Sequence, residues 1–164
     1  MIVGNKNSHC SYCGAPFAAG AGWPRTCGAC GAISYVNPLP VAVLLVPVDG
    51  GLLTIRRAIE PHLGKLALPG GYIGVGESWQ QAGAREVLEE TGVTVDAAGV
   101  VDVRVLSAPD GTVLIFGEAR PLASVPSLSP NPEVSELVVL RAPEPLAFPL
   151  HTQIVNEWFA RRAY

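Results

Sequence analysis

The chain has 164 residues, of which 49% are hydrophobic and 15% charged, and its formal net charge is −3 at pH 7. This composition excludes a disordered chain and does not favour a strongly basic, nucleic-acid-coating surface. The longest apolar run, residues 39–48, contains Pro40 and Pro47 and is too short to span a membrane. The first ten residues lack the apolar core of a signal peptide, so we expect a cytoplasmic protein with one ordinary domain and a small appendage.

All four cysteines lie near the N-terminus, in two C-x2-C pairs. Cys10 pairs with Cys13 and Cys27 with Cys30, and a glycine follows each pair directly. Two such pairs predict a tetrahedral site in which four thiolates hold a structural Zn²⁺ and leave no open position for a substrate. Disulfide bonds are the alternative, which a cytoplasmic location disfavours because thiols stay reduced there.

The proline-rich segment 36–40 is a predicted domain boundary. It divides the chain into a zinc ribbon, residues 1–37, and a second domain, residues 38–164. Strands with one helix near the middle and one at the end suit an α/β/α sandwich with a mixed sheet. The elements predicted in the second domain are strands at 41–48, 52–57, 100–106, 112–119 and 136–140, a hairpin turn at 49–51, an exposed loop at 121–132, and helices at 79–91 and 151–162.

The central predicted helix carries three carboxylates. Ser78 is a good N-cap, Gln81 completes a capping box, and Gly92 suits the left-handed residue that follows a last helical turn. At ~100° per residue, the carboxylates share a face with two small residues, which we expect to leave room for a ligand. The acidic face holds Glu86, Glu89, Glu90, Ala82 and Gly83, and the face expected to pack on a sheet holds Ala84, Val87, Leu88 and Thr91.

Like charges one helical turn apart repel one another and weaken an isolated helix. A divalent cation between Glu86, Glu89 and Glu90 would remove this repulsion, and carboxylate oxygens suit Mg²⁺ or Mn²⁺. The Leu-Pro-Gly-Gly sequence at 68–71 adds a tight turn whose backbone carbonyl can approach a ligand closely. The alternative interpretation is an ordinary solvated acidic helix face.

Residues 71–93 match the pattern G-x5-E-x7-R-E-U-x-E-E-x-G-U, in which U is apolar, at every fixed position. This pattern is the Nudix box, and the chain therefore resembles the Nudix hydrolases, which cleave nucleoside diphosphates linked to another moiety. The resemblance implies the Nudix α/β/α sandwich, a metal-coordinating carbonyl at Gly71 beside the three carboxylates, and an orienting ion pair between Arg85 and Glu77. The matching residues are Gly71, Glu77, Arg85, Glu86, Val87, Glu89, Glu90, Gly92 and Val93.

The general base is less well defined by the sequence. Metals at the box would neutralise the pyrophosphate and lower the pKa of a water, whose proton a carboxylate then removes. In the family this base is either a glutamate of the box or one on a later loop. Glu133 is our candidate for the later position and Glu136 the second. An ordinary exposed loop carboxylate is the alternative interpretation of Glu133.

Substrate choice rests on further resemblance. A zinc ribbon ahead of a Nudix domain is similar to the NADH pyrophosphatases, yet their Ser-Gln-Pro-Trp-Pro-Phe-Pro sequence is absent from residues 94–130. The short ribbon and the Phe-Pro-x-His stretch at 148–151 look more like the ADP-ribose and FAD pyrophosphatases. This implies ADP-ribose, FAD or a related ADP-linked substrate, with AMP as a product. Nucleoside triphosphate cleavage and a non-catalytic nucleotide sensor are the alternatives.

Other partners are less well marked. Family analogy implies a possible homodimer. Residues 8–36 contain Arg25 as their only strong cation, so the ribbon is not expected to bind nucleic acid. His151 has no spaced partner that would mark it as a ligand, and we expect it to lie at the surface or to cap an element.

Overall fold

The N-terminal unit, Met1–Pro38, is built from two cysteine turns and one short hairpin. In this computed structural model, which describes residues 6–124, 127 and 131–162, strand β1 (Arg25–Thr26) pairs antiparallel with strand β2 (Ile33–Ser34). The buried hydrophobic residues of its described part are Cys10 and Cys27. A unit with so small an apolar core needs a metal or cross-links to be stable.

The second unit, Leu39–Tyr164, contains strands on two sheets and two helices. Its elements are β3 (Leu39–Leu45), β4 (Pro47–Val48), β5 (Gly51–Arg57), β6 (Leu66–Ala67), β7 (Gly70–Tyr72), α1 (Trp79–Thr91), a 3₁₀ turn (Ala97–Gly99), β8 (Val101–Ser107), β9 (Thr112–Glu118), β10 (Val134–Leu140) and α2 (Pro149–Ala160).

The first sheet of this unit is mixed, as predicted. Its strand order is β7-β3-β9-β8, with β3 parallel to β9 and the other neighbours antiparallel. The second sheet is antiparallel: β5 pairs with β10, and also with β4 and β6. Among the described residues, no helix is long and apolar enough to cross a membrane.

The strand predicted at 41–48 is divided between the two sheets, which corrects its predicted pairing with 52–57. β3 belongs to the first sheet, and only β4 forms the hairpin with β5. The chain changes sheet at Val46, whose carbonyl accepts a hydrogen bond from the Leu53 amide at 2.9 Å. Pro47 follows with no amide hydrogen to continue the β3 ladder. The predicted turn is confirmed, with φ of 48° at Asp49 and 74° at Gly50.

From Ala42 to Leu45, the side chains of β3 are buried on both faces, which confirms the sandwich. Val43 and Leu45 lie in a core that includes Trp158 of α2. Leu44 lies in a second core that includes Val87 of α1. A strand buried on both faces is apolar at nearly every position rather than at alternate ones.

Helix α1 begins and ends where the sequence predicts. The Ser78 hydroxyl accepts a hydrogen bond from the Gln81 amide at 3.2 Å, and the Gln81 side chain accepts one from the Ser78 amide at 2.8 Å. Gly92 is left-handed, with φ of 73°, and its amide donates to the carbonyl of Leu88. These contacts satisfy backbone groups that a helix end otherwise leaves unpaired.

The predicted division of α1 into faces is partly wrong. Leu88 is 48% exposed, whereas Ala82 and Gly83 are buried. A Cβ atom on Gly83 would lie 2.8 Å from Cγ of Leu44. The small residues therefore allow the helix to approach the sheet, and they do not leave room for a ligand.

Two other predicted segments differ in extent. Strand β10 begins two residues before the predicted 136, and α2 begins two residues before the predicted 151 and ends at Ala160. Of the loop predicted at 121–132, residues 125, 126 and 128–130 lie outside the described residues.

Candidate active site

The four cysteine thiols of the N-terminal unit lie together. All four sulfur atoms are within 4.8 Å of one another. The Sγ atoms of Cys10 and Cys30 are 3.8 Å apart, and those of Cys13 and Cys27 are 3.6 Å apart. This cluster could bind a zinc ion.

Two equivalent backbone turns produce the cluster. The amide of Gly14 donates to the carbonyl of Cys10, and the amide of Gly31 donates to that of Cys27, each at 2.9 Å. Both glycines are left-handed, with φ of 75° and 74°, which explains why glycine follows each pair. The backbone amide of Tyr12 points at the Cys10 sulfur and lowers the pKa of that thiol to about 6, which favours the thiolate that binds metal.

In the second unit, Arg85 connects the acidic side chains of the box. Its Nη2 and Nε atoms donate to the two carboxylate oxygens of Glu77 at 2.8 and 3.2 Å, a bidentate pair. Nη1 donates to Glu86 at 2.6 Å and to Glu89 at 3.2 Å. Nη2 also donates to the carbonyl of Tyr72 at 3.0 Å. One guanidinium therefore holds the helix, the preceding loop and strand β7 together.

Glu77 is held by the backbone as well as by Arg85. The amide of Gly74 donates to its Oε1 at 2.5 Å. The Arg85 guanidinium, followed by this amide, lowers the pKa of the Glu77 carboxyl. Glu77 is thereby ionised and fixed in orientation.

Glu90 is the most buried carboxylate of the site, with 8% of the residue exposed. Its Oε2 accepts a hydrogen bond from the Gly70 amide at 2.9 Å. Burial, with the nearby charges of Glu86 and Glu133, raises the pKa of Glu90 to about 8. A carboxylate in this environment is ionised at neutral pH only if a cation compensates its charge.

Glu86 lies against the backbone of the Leu-Pro-Gly-Gly turn. A Cβ atom on Gly71 would lie 2.5 Å from the Glu86 carboxyl carbon, so only glycine allows this approach. Burial raises the pKa of Glu86, and Arg85 opposes the increase. The third carboxylate, Glu89, has 57% of its side chain exposed.

Glu133 lies close enough to the box for its charge to act on Glu86 and Glu90. Asn131, which sequence reasoning missed, positions it: the Asn131 side chain donates to the Glu89 carbonyl at 2.7 Å and accepts from the Glu133 amide at 2.8 Å. The second contact is an Asx turn, and an asparagine two residues before the glutamate is a local signal that could have revealed it.

Glu136, the second candidate base, lies in a different environment from that of Glu133. It lies on β10 opposite Arg56 of β5, and its Oε2 accepts from Arg56 Nε at 2.6 Å. Arg56 also donates to the Gly64 carbonyl at 3.0 Å. Glu136 is therefore occupied as an ion-pair partner, and Glu133 is the candidate that the structure brings to the box.

The expected surface position of His151 is wrong. The residue is 5% exposed, and its Nδ1 accepts a hydrogen bond from the Leu68 amide at 3.3 Å. Burial lowers the pKa of its imidazole to about 3, so the ring is neutral. No local sequence signal could have shown this, because the two residues are 83 positions apart.

A mixed-sheet sandwich with a capped acidic helix and a glycine turn against it is the arrangement that the Nudix resemblance implies. The model of the NUDIX domain family matches residues 37–154. The chain therefore belongs to the Nudix family.

The chain is 34% identical over 76 residues to the ADP-ribose pyrophosphatase of Methanocaldococcus jannaschii, a match that covers 46% of the chain and 44% of that relative. It is 32% identical over 91 residues to the NAD-capped RNA hydrolase NudC of Klebsiella pneumoniae, covering 55% of the chain and 35% of the relative. The chain thus spans less than half the length of these relatives. Over 95% of the chain, the structure resembles the crystal structure of a NUDIX hydrolase from Nitrosomonas europaea, with a TM-score of 0.75, 26% identity and 92% coverage of that chain.

Proposed function

We propose that the protein hydrolyses the pyrophosphate bond of a nucleoside diphosphate linked to another moiety, with ADP-ribose, FAD or a related dinucleotide as substrate and AMP as a product. The observation that carries this proposal is the arrangement of carboxylates around Arg85 and the glycine turn. Glu86, Glu89 and Glu90 extend from one helix, and Glu133, in the loop before β10, lies close enough for its charge to act on Glu86 and Glu90.

The residues of the site fit a divalent cation. Glu90 is buried beside Glu86 and Glu133, an accumulation of negative charge that a cation would relieve. Gly71 lies against the Glu86 carboxylate, and its carbonyl is the further oxygen donor that the Nudix box implies. Carboxylate and carbonyl oxygens without thiolate or imidazole suit Mg²⁺ or Mn²⁺. We assign Gly71, Glu86, Glu89 and Glu90 as ligands, as the Nudix box implies.

In the proposed mechanism, Glu133 removes a proton from the attacking water. It is exposed and fixed through its backbone, with its amide bound by Asn131 and its carbonyl accepting from the Ala58 amide at 2.8 Å. The water oxygen forms a bond to one phosphorus, the bond from that phosphorus to the bridging oxygen breaks, and the other phosphate leaves with the bridging oxygen. A bound cation would neutralise the phosphate oxygens and make the water more acidic. Arg85 and Glu77 hold the helix in place, and a box glutamate is the alternative base.

The choice of substrate is supported by the relatives. One is named an ADP-ribose pyrophosphatase and the other a hydrolase of NAD-capped RNA. ADP-ribose and NAD share an adenosine diphosphate attached to ribose, which is the chemical group that we propose this chain recognises. FAD contains the same adenosine diphosphate.

The experiment is product analysis with purified protein and Mg²⁺. ADP-ribose, FAD, NADH and a set of nucleoside triphosphates are supplied to the wild type, to Glu89→Gln, and to Glu144→Gln as a matched control at an exposed position of the same unit. We expect AMP from an ADP-linked substrate, about a hundredfold less in Glu89→Gln, and no change in Glu144→Gln. Pyrophosphate from a triphosphate would favour the alternative activity. Ligand binding without turnover would favour a sensor.

We also propose that the four cysteines bind one structural Zn²⁺ and that residues 1–37 form a zinc ribbon ahead of a hydrolase domain at 38–164. The four thiols lie together without a disulfide bond between them, which supports metal binding. Four protein ligands would complete a tetrahedral site, so this metal would take no part in the chemistry.

Substitution of Cys27 by serine should remove the zinc. The variant replaces a buried sulfur ligand, and structural zinc sites of this size fold only with their metal. We expect the zinc content, measured by atomic emission on protein purified without chelator, to fall from about one per chain to near zero. Tyr12→Phe, in the first cysteine turn, should retain the metal because only the Tyr12 backbone contacts Cys10. Unchanged zinc in Cys27→Ser would contradict the assignment.

A further inference from the structure

The imidazole of His151 lies in an aromatic environment at the start of helix α2. Its ring centroid is 5.7 Å from that of Phe116 and 5.0 Å from that of Phe148. The backbone amide of Leu68 donates a hydrogen bond to its Nδ1. Leu68 is buried and is the first residue of the Leu-Pro-Gly-Gly turn. A backbone N–H donor requires a lone pair on Nδ1, so the neutral ring carries its proton on Nε2.

The turn that His151 contacts supplies backbone groups to the acidic site. Its Gly70 amide donates to Glu90, and Gly71 lies against Glu86. The turn is attached to β3 through the Pro69 carbonyl, which accepts from the Leu44 amide at 3.0 Å. Leu68 is therefore the position where helix α2 can fix the turn.

Removal of the acceptor would leave a buried amide without a partner. Leu68 is 2% exposed, so water has little access to its backbone. When a buried N–H group loses its acceptor, the backbone shifts toward a conformation in which that N–H group is hydrogen-bonded again. Gly70 and Gly71, two and three residues further on, are the first residues of β7, so a shift at Leu68 acts where β7 begins to pair with β3.

We propose that His151 is a positioning residue for the metal site: it fixes the Leu68–Gly71 turn and so sets where Gly70 and Gly71 meet the box carboxylates. The proposal rests on the proposed function only in taking these carboxylates as metal ligands. Residues that orient metal ligands from the next layer change metal affinity when they are replaced, although they do not touch the metal.

The test compares His151→Leu with His151→Asn in the full-length, zinc-loaded protein. Leucine removes the acceptor, whereas the Asn side-chain oxygen can occupy the place of Nδ1. We expect His151→Leu to weaken Mn²⁺ binding about tenfold, measured by electron paramagnetic resonance without nucleotide. Amide hydrogen exchange at Leu68 and at residues 70–72 should become faster in His151→Leu. His151→Asn should recover most of both properties.

Ile154→Val is the matched control, because Ile154 is buried in the same helix and in the same core as Leu68, but its apolar side chain cannot accept a hydrogen bond from the Leu68 amide. It should lower the Tm by a few degrees and leave Mn²⁺ binding and exchange at the turn unchanged. Wild-type behaviour of His151→Leu, or equal losses in Ile154→Val, would overturn the proposal. If the wild type bound Mn²⁺ but cleaved no nucleotide, the proposed function would fail while this test still applied. If the wild type bound no Mn²⁺, amide exchange at Leu68 would still test whether His151 fixes the turn. Exchange that is no faster in His151→Leu than in the wild type would overturn the proposal.

Discussion

Replacement of Arg85 by alanine is expected to lower kcat/KM by about a hundredfold while the protein stays folded. Arg85 is the one cation that the described structure places in contact with Glu77, Glu86 and Glu89 together. Without it, the loop before the helix loses its bidentate attachment, and the carboxylates face the substrate in an altered geometry. The side chain of Arg85 is 36% exposed, and ion pairs at such positions contribute only about 1 kcal/mol to the free energy of unfolding.

Three measurements separate positioning from simple loss of charge. Arg85→Lys keeps the charge but cannot form the bidentate pair, so its kcat/KM should stay well below that of the wild type. Glu77→Gln should cause a loss similar to that of Arg85→Ala, and the double variant little more, because the two side chains act as a unit. Mn²⁺ binding should persist in Arg85→Ala, since all the carboxylates remain and the site has a more negative net charge without the guanidinium. Additive losses, or full activity in Arg85→Lys, would contradict the positioning role.

Replacement of Glu90 by glutamine should have a still larger effect on activity and should also reduce the dependence of stability on pH. Glutamine can still accept the Gly70 hydrogen bond, but it is neutral and a poor ligand for Mg²⁺. We expect kcat to fall about a thousandfold. Glu144→Gln, at an exposed position outside the site, serves as the control.

The sign of the pH effect follows from the raised pKa of Glu90. Its folded value is about 8 and its ordinary value 4.5, so between these pH values the folded protein binds more protons than the unfolded chain. Without a divalent cation at the box, the free energy of unfolding should therefore fall as pH rises from about 5 to about 8, by at most about 1.4 kcal/mol per pH unit. Urea unfolding in buffer free of Mg²⁺ and Mn²⁺, with the zinc retained, measures this.

In Glu90→Gln this decline should become much smaller, with the raised pKa of Glu86 leaving a remainder. Added Mg²⁺ should stabilise the wild type more strongly at pH 8 than at pH 6, because the cation binds the ionised carboxylate. The same decline in Glu90→Gln as in the wild type would show that another group is responsible. Mg²⁺ stabilisation that did not increase with pH would count against Glu90 as a ligand.

The features that the sequence determined by itself are those whose partners are close along the chain. The N-cap of Ser78 with Gln81, the left-handed Gly92 and the two cysteine turns are each contained within a few residues. Their geometry depends on local backbone preference and short hydrogen bonds, so spacing alone predicts it. The Nudix box is local in the same sense, because its fixed positions fall within 23 consecutive residues, 71–93, and the spacing of those residues is enough to indicate the family.

Tertiary structure decided the features that depend on distant segments. The chain changes sheets at Val46 because β3 finds a parallel partner in β9, about seventy residues away. Leu88 is exposed and Glu90 buried because packing against Leu44 fixes the rotation of α1, and helical periodicity alone does not. His151 is buried because α2 closes over the Leu-Pro-Gly-Gly turn. In each case the stabilising free energy comes from contacts between segments that are distant along the chain. A short stretch of sequence does not contain both partners of such a contact.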